Sequence, residues 1–456
     1  MSLIKANAVQ IGQSPTATQN FTLAVPSSPD GTIKLARGNS GATTQDVLSV
    51  DASGNINGLV KTTGSTTARS LANRFADVVN VKDFGAVGDG VADDTVAIQA
   101  AINILGLSGG EVFFPEGHYK ITSKIDILFP NVYINGSGKK NTEIFQHTSN
   151  SEIFNIVAWY FSISNISLSY NTQGTAGGSA IVIQNGIFYS AIDKVSFDKA
   201  YYGVEYKPSS NSHTLCNSNF TDCTASAIYI NTAVNILCDS FKIINTDLIK
   251  CSLGCIRLFG RVEGCNFVNG QTFQGQYGLI LEGLVYSFNN VPQFNKFHCL
   301  YLDSSKNGNC LIEKCMETDF IDCWFSTTDE NGIYVNNADG VRFTGGGVLN
   351  CTKRGALIQS TAKRITFKNF MSRSNSVGSP NVYSGIVFAP NTTDFIVEGC
   401  TLTNSVVVYG TQKYGVEVLA GTSDRYIIAN NLVSGNGTGG VGDSGTGVNK
   451  FVSNNF

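Results

Sequence analysis

Charge is scarce in this chain. Only 14% of its 456 residues are Asp, Glu, Lys or Arg, split almost evenly at 34 acidic and 31 basic. No basic cluster exists beyond pairs such as Lys139-Lys140 and Lys353-Arg354, so no nucleic-acid partner is expected. No apolar run approaches the roughly 18 residues of a spanning helix, and no membrane span is expected. The opening residues, MSLIKANAVQIGQSPTATQNF, hold no apolar signal core and no small-residue cleavage site; a cleaved secretion signal is not expected. No cysteine precedes Cys216, and the 12 from there onward form no C-x-x-C pair, Cys251 and Cys255 standing four apart. That disfavours a zinc site and a disulfide framework. The expectation is reduced thiols buried as small hydrophobes. His118, His147, His213 and His298 are scattered, and Asp319-x-x-Asp322 is too thin for calcium. No metal and no cofactor is expected.

What is present is turn chemistry. Gly reaches 48, Asn is frequent, and Pro is held to 9, which suits short strands and many turns rather than long helices. A chain of this length exceeds one compact core, so several domains or a repeat fold is expected. A low-charge surface rich in Asn, Ser and Thr suits hydroxyl-rich ligands such as sugars.

The most organised stretch is Val79 to Thr122. Asp93 and Asp94 precede Thr95 and can accept hydrogen bonds from the free N–H groups of a helix start. Ile98, Ala101, Ile102 and Leu105 then make one apolar stripe, which Gly106 and Ser108-Gly109-Gly110 terminate. Glu111–Pro115 and Gly117–Ile121 read as strand pieces around a turn. A short helix placed ahead of stacked strands covers their open edge. Gly85, Gly88 and Gly90 fit no dinucleotide or phosphate loop, and His118 reads as structural.

From about Glu143 a repeat appears: an aliphatic residue, a polar pair, a small or apolar residue, a spacer, then Phe or Leu. Examples are Ile163–Leu168, Ile192–Phe197, Val262–Phe267, Val397–Leu402 and, more loosely, Ile365–Phe370. Anchors Phe197, Phe220, Phe241 and Phe267 lie 23, 21 and 26 residues apart, the period of a solenoid. Between anchors recur strand pieces such as Gly203-Val-Glu-Tyr206, Ala227-Ile-Tyr-Ile230, Gly278-Leu-Ile-Leu281, Gly332-Ile-Tyr-Val335 and Gly385-Ile-Val-Phe388. They imply a second strand per coil and roughly a dozen coils. Leucine-rich repeats and propeller blades fit the spacing less well.

The sequence Asp83-Phe-Gly-Ala-Val-Gly-Asp-Gly90, with Asp93-Asp-Thr95, Ile98–Ala101 and Gly110–Tyr119, resembles the opening of the pectate-lyase-like, right-handed parallel β-helix superfamily. In particular it resembles bacteriophage tailspike and capsular-polysaccharide depolymerase members. The resemblance implies an all-β, right-handed parallel β-helix with one short N-terminal capping helix. It implies a polysaccharide-acting protein, but the superfamily hosts lyases, hydrolases, epimerases and non-catalytic proteins, and fold does not imply function. Three regions are expected: residues 1–75 as a virion-attachment-like segment and linker, 76–122 as the cap, and 123–456 as the polysaccharide-binding and catalytic helix. Strand candidates in the first are Phe21–Val25, Thr32–Ala36 and Val47–Val50, with a tight turn at Asp51–Asn55. The expected setting is a phage tail acting at the bacterial surface, the chain forming homotrimers and meeting the tail or baseplate through its N-terminal segment. Many tailspikes carry a C-terminal trimerisation domain; none is evident before Phe456.

Hydrolysis of a glycosidic bond uses two carboxyl groups. The densest carboxylate window is Tyr301 to Glu330, which holds seven of the 34 acidic residues. Asp303, Glu317 and Asp319 are the catalytic candidates; Trp324, Tyr301, Lys306 and Arg342 are the substrate-binding ones. Glu313, Glu317 and Asp319 share the strand parity of Cys315, so a bend near Met316 is required if Cys315 points inward. Trp324 reads equally as a sugar platform or as a core or inter-subunit contact. Glu263, Glu282 and Asp247 form a fallback patch. Two other classes stay open: a uronate lyase using Lys306, His298, Arg342 or Arg257, and a non-catalytic fibre or adhesin.

Overall fold

The structure, a computed structural model, describes residues 8–11, 13, 15–16, 21–24, 33–39, 42–285, 287, 289–359, 361–404 and 411–456. The chain divides into two compact units, Met1–Val79 and Asn80–Phe456. Among its described residues the first holds six antiparallel strands paired in sequence order and the short helix Leu71–Phe75. Its expected strands are present as Phe21–Ala24, Ile33–Asn39 and Ala42–Val50; Val25 and Thr32 fall outside the described residues. The turn at Asp51 closes as the sequence predicts, its carboxylate accepting the Ser53 and Asn55 amides at 3.0 and 2.9 Å.

The second unit is a parallel β-helix. Each coil presents three faces. The third face is a 13-stranded parallel sheet running from Ile125–Ile127 to Gly439–Gly445, one strand per coil. Register partners on it are 23 residues apart at the least (Ile181↔Val204) and 31 at the most (Leu279↔Cys310). The first and second faces merge into one sheet, because strands such as Ser162–Tyr170 and Lys296–Ser305 continue around the corner between them.

That corner explains the asparagines. One residue per coil turns it in the left-handed conformation, φ from +50 to +67°. Asn occupies it at 165, 217, 245, 269, 369, 430 and 454, Gly at 345 and 399, and Lys194, Cys299 and Asp322 on three further coils. Asn and Gly enter that region at little steric cost. The Asn side chains also bond along the stack: Asn245 donates to Asn217 at 3.2 Å and Asn165 to Asn135 at 3.1 Å. The repeat of the sequence is therefore in, out, left-handed, in, out, in. One expectation needs correcting. Val262–Phe267 has the same pattern but turns a different corner, from third face to first, with Gly264 left-handed. Accordingly Phe197 stacks on Phe220 on the second face (4.2 Å), whereas Phe267 stacks on Phe297 on the first (4.8 Å). All three corners use left-handed residues, so a local motif cannot say which corner it makes.

Inside, aromatic rings stack from coil to coil. Phe267, Phe297, Phe320, Phe343 and Phe367 lie 4.8 Å apart with interplanar angles of 8–18°. Ten of the 12 cysteines are buried and all are free thiols, as the sequence suggests. The recurring glycines begin third-face strands where the faces converge: a Cβ on Gly332 would lie 2.4 Å from Val348 Cγ2.

The cap helix is Thr95–Asn103, with Ile98, Ala101 and Ile102 buried. Asp93, one residue before the N-cap position, accepts the Thr95 amide at 3.1 Å. Asp94 instead accepts from Val87 and Gly88, at 2.7 and 3.0 Å, and pins the Gly-rich turn onto the helix start.

Two outcomes are expected. Phe320→Ala should cost about 3–5 kcal/mol, read from the urea midpoint. His213, buried between Tyr206 and Phe241, accepts from Ser190 through Nδ1 while Nε2 has no partner, and burial lowers its pKa to about 3. Below about pH 6.5 the unfolded chain takes a proton that the folded one refuses. Stability should therefore fall from about pH 6.5 toward pH 3, and His213→Leu should flatten that slope by about 2–3 kcal/mol between pH 6.5 and 4.5.

Candidate functional site

The acidic window of the sequence does not make one site. A coil closes in about two dozen residues, so neighbours in sequence end on different faces. Tyr301 and Asp303 lie on the second face, pointing outward. Lys306 lies past the corner toward the third face. Glu317 turns the corner from third face to first with φ +39°, and this is the bend the parity of Cys315 requires. Asp319 follows on the first face, and Trp324 reaches the second face one coil on, directly beside Tyr301. The two rings thus share one exposed stripe, where Gly347 on the next coil leaves room for the Trp324 indole. The fallback residues also separate, Glu263 at a corner, Glu282 on the third face and Asp247 on the second.

Glu317 and Asp319 do come together, but around Arg342. Its Nη1 donates to Glu317 at 2.7 Å and its Nε to Asp319 at 2.5 Å. Arg364 bonds Glu317 at 2.8 Å and Asp339 at 2.5 Å, and Lys363 reaches Asp339 at 3.2 Å. Acidic and basic side chains thus pair across successive coils, which stitches three coils along one corner.

A denser constellation sits on the third face, where side chains in the middle of each strand point outward. In register these are Asn155, Val182, Glu205, Tyr229, Arg257, Ile280, Leu311 and Tyr334 on successive coils. Glu205 is buried, accepts from Ser179 at 3.1 Å and pairs with Lys207. Tyr229 packs on Tyr202 with 4.6 Å between rings, and Tyr201 meets Tyr202 at the same distance. Arg257 lies against Tyr229 and Phe259, 5.3 Å from each ring, and donates to Glu282 at 2.9 Å. Its Nε is buried without a partner. Burial, reinforced by Glu205, pushes both tyrosine phenols above their usual range; Arg257 pulls Tyr229 back partway. Phenols in that state keep their protons and can give them. The cluster thus offers proton donors, a carboxylate with a lysine, and a cation held by stacking, all on adjacent coils.

Sequence reading picked out Arg257 and Glu282 separately but missed Tyr202, Glu205, Lys207 and Tyr229. The signal was in the recurring strand pieces. Set in register, Gly203-Val-Glu-Tyr206, Ala227-Ile-Tyr-Ile230 and Cys255-Ile-Arg-Leu258 carry Glu, Tyr and Arg in their third column, the outward one.

Beside this cluster, at the corner from second face to third, a groove of about 300 Å³ is lined by Gln173, Asp222, Lys250, Gln274, Gln276 and Lys306, among others. Next to it Asp198 is pushed upward by burial; Asp222 and Glu143 push the same way and Lys199 opposes.

Residues 78–256 match a family model described as rhamnogalacturonase A/epimerase, pectate lyase-like. A 72-residue stretch is 47% identical to mannuronan C5-epimerase AlgE6 of Azotobacter vinelandii, covering 14% of this chain and 8% of that protein. Alginate lyase 7 of the same organism matches over 72 residues at 47%, again 8% of its length. The chain thus spans a small part of these curated relatives. Among solved structures, tailspike protein 3 of bacteriophage CBA120 superposes with a TM-score of 0.65 at 15% identity, over 86% of this chain and 64% of that one. The A-module of mannuronan C-5 epimerase AlgE4 gives 0.57 at 17% identity, over 83% of this chain and 100% of that one. The fold is a parallel β-helix, as in these tailspike and epimerase structures.

Arg342→Met separates the two readings of the carboxylates it holds. As a coil-stitching pair on a half-exposed corner, its loss should cost about 1 kcal/mol or less, shrinking in high salt, with turnover of polymer unchanged. Lost turnover at unchanged stability would return Glu317 and Asp319 to catalysis.

Proposed function

We propose that this chain is a tailspike-type enzyme that binds and depolymerises a bacterial surface polysaccharide. The setting is supported by the tailspike likeness across most of the chain and by the match of a 72-residue stretch to a mannuronan epimerase and an alginate lyase. In this reading the N-terminal sheet, which exposes Leu23, Ile33, Ile56 and Leu59, meets the phage tail, and three chains associate. The third face is the active surface.

The reaction this cluster favours is proton abstraction beside a uronate carboxylate, followed by elimination. The observation that carries it is Arg257 stacked between aromatic rings, one coil from Tyr229 and two from Glu205. Arg257 neutralises the substrate carboxylate. Glu205 takes the proton from the adjacent carbon, and the electron pair left behind forms a carbon–carbon double bond. The carbon–oxygen bond to the next sugar breaks, and a phenol, Tyr202 or Tyr229, protonates the leaving oxygen. The carboxylates here are already engaged by Lys207 and Arg257, which suits this division of labour better than paired-carboxylate hydrolysis.

Hydrolysis is the second reading, and Asp198 favours it. A carboxyl raised by burial next to a second carboxyl, Asp222, is the arrangement of an acid and its partner. It lies on the second face, which also carries Asp303, Tyr301 and Trp324.

Mass spectrometry of the fragments decides between them. Elimination leaves ultraviolet-absorbing ends and adds nothing to the summed mass; hydrolysis adds one water per cut. Glu205→Gln, Arg257→Met and Tyr229→Phe should each lower turnover by roughly 100-fold or more with thermal unfolding little changed. Full activity in all three variants removes the third-face site. A polymer never shortened by wild-type protein removes depolymerisation altogether.

A further inference from the structure

The groove at the corner from second face to third has a composition that solenoid packing does not require. On eight successive coils this corner is left-handed, with φ between +48 and +59°. The later four use small side chains, Ser304, Thr327, Asn350 and Ser374. The first four instead carry long or charged ones, Lys199, Asp222, Lys250 and Gln274. Left-handed backbone costs such residues about 1–2 kcal/mol each, and strain of this kind collects where function asks for it.

A wall encloses these side chains. The segment leading to Gly174 crosses from an earlier coil. Gln173 donates from its amide to the Asp222 carbonyl, and Thr224 donates to the Gly174 carbonyl at 2.6 Å. Lys306 closes the far side. The volume, about 300 Å³, lies at the lower bound for a small-molecule site. Two cations and three primary amides converge on it. Lys250 is held only loosely, 4.0 Å from Asp222. The Lys306 ammonium has no ion pair or hydrogen bond among the described residues. Among the side chains that line the groove, Asp222 offsets one of these two charges and one positive charge is left over.

The groove and the third-face cluster share a coil. Lys250 turns the corner and Arg257 stands in the strand that follows; Gln276 immediately precedes the strand Tyr277–Glu282, whose Glu282 bonds Arg257.

We infer that this groove is a binding subsite for an acidic sugar unit, held through its anionic group by Lys250 and Lys306 and through its hydroxyls by the amides of Gln173, Gln274 and Gln276. The inference rests on the chain acting on a polysaccharide and adds a site for a second unit, next to the one that reacts. The anionic group is a carboxylate or a sulfate, which the test separates.

The test measures equilibrium binding of the full chain by calorimetry, with no turnover required. The probes are a polyuronate oligomer, the same oligomer with its carboxyls reduced to alcohols, and a sulfated neutral oligomer of equal length. Wild type should bind one of the two acidic probes at least tenfold tighter than the reduced one. The Lys250→Met/Lys306→Met protein should lose that tenfold preference while its thermal midpoint stays in place. Lys306→Met alone, at an exposed position, repeats the test should the double variant misfold. Equal binding of all probes by wild type, or an unchanged preference in the lysine variants, overturns the inference. Its failure differs from failure of the proposed reaction. Lysine variants that bind normally while Arg257→Met abolishes turnover remove only the subsite; lysine-dependent binding of a polymer never processed removes only the reaction.

Discussion

Everything in the second unit hangs on parallel strands stacking in register, coil on coil, at about 4.8 Å. That spacing decides what each position can be. Inward positions must stack like on like, so Phe meets Phe from 267 to 367 and thiols stand in buried rows. Corner positions must turn left-handed, so Asn and Gly recur there. Outward positions alone are free of the repeat, and whatever chemistry the chain performs must be written in them.

The same constraint sets the geometry of function. Side chains on neighbouring coils are held about one strand spacing apart, on a rigid backbone whose hydrogen bonds are satisfied above and below. A cluster can then be assembled one residue per coil, as in the proposed site of Glu205, Tyr229 and Arg257, with no loop to position it. The cation is kept in place by aromatic stacking rather than by a full set of hydrogen bonds, which leaves the guanidinium edge with capacity for a substrate anion. At the opposite extreme, Glu317, Asp319, Asp339, Arg342 and Arg364 spend their charges on one another. Both are outward charged clusters; what separates them is whether the bonding capacity is closed.

Much of the architecture was readable because the constraint is local. The cap helix, the bend required beside Cys315, the buried thiols and the solenoid period all follow from short stretches of sequence. Even so, the repeat was ambiguous. Ile163–Leu168 and Val262–Phe267 look alike because every corner of a coil imposes the same in–out–turn–in pattern. The acidic window from Tyr301 to Glu330 misled for a related reason. Density along the chain suggested one site, but the coil divided its members: Tyr301 and Trp324 met on one stripe, and Glu317 and Asp319 met elsewhere, around Arg342.

By itself the sequence determined the class of fold, the place of the cap and the period of the coils, because each depends on residues a few positions apart. Which residues share a face was decided only by the tertiary structure. Partners there are 23 to 31 residues apart, and the varying coil length makes their alignment invisible until the strands are stacked. The proposed site of Tyr202, Glu205, Lys207, Tyr229, Arg257 and Glu282 spans some eighty residues of chain and four coils of structure; the cluster exists only once the register is set.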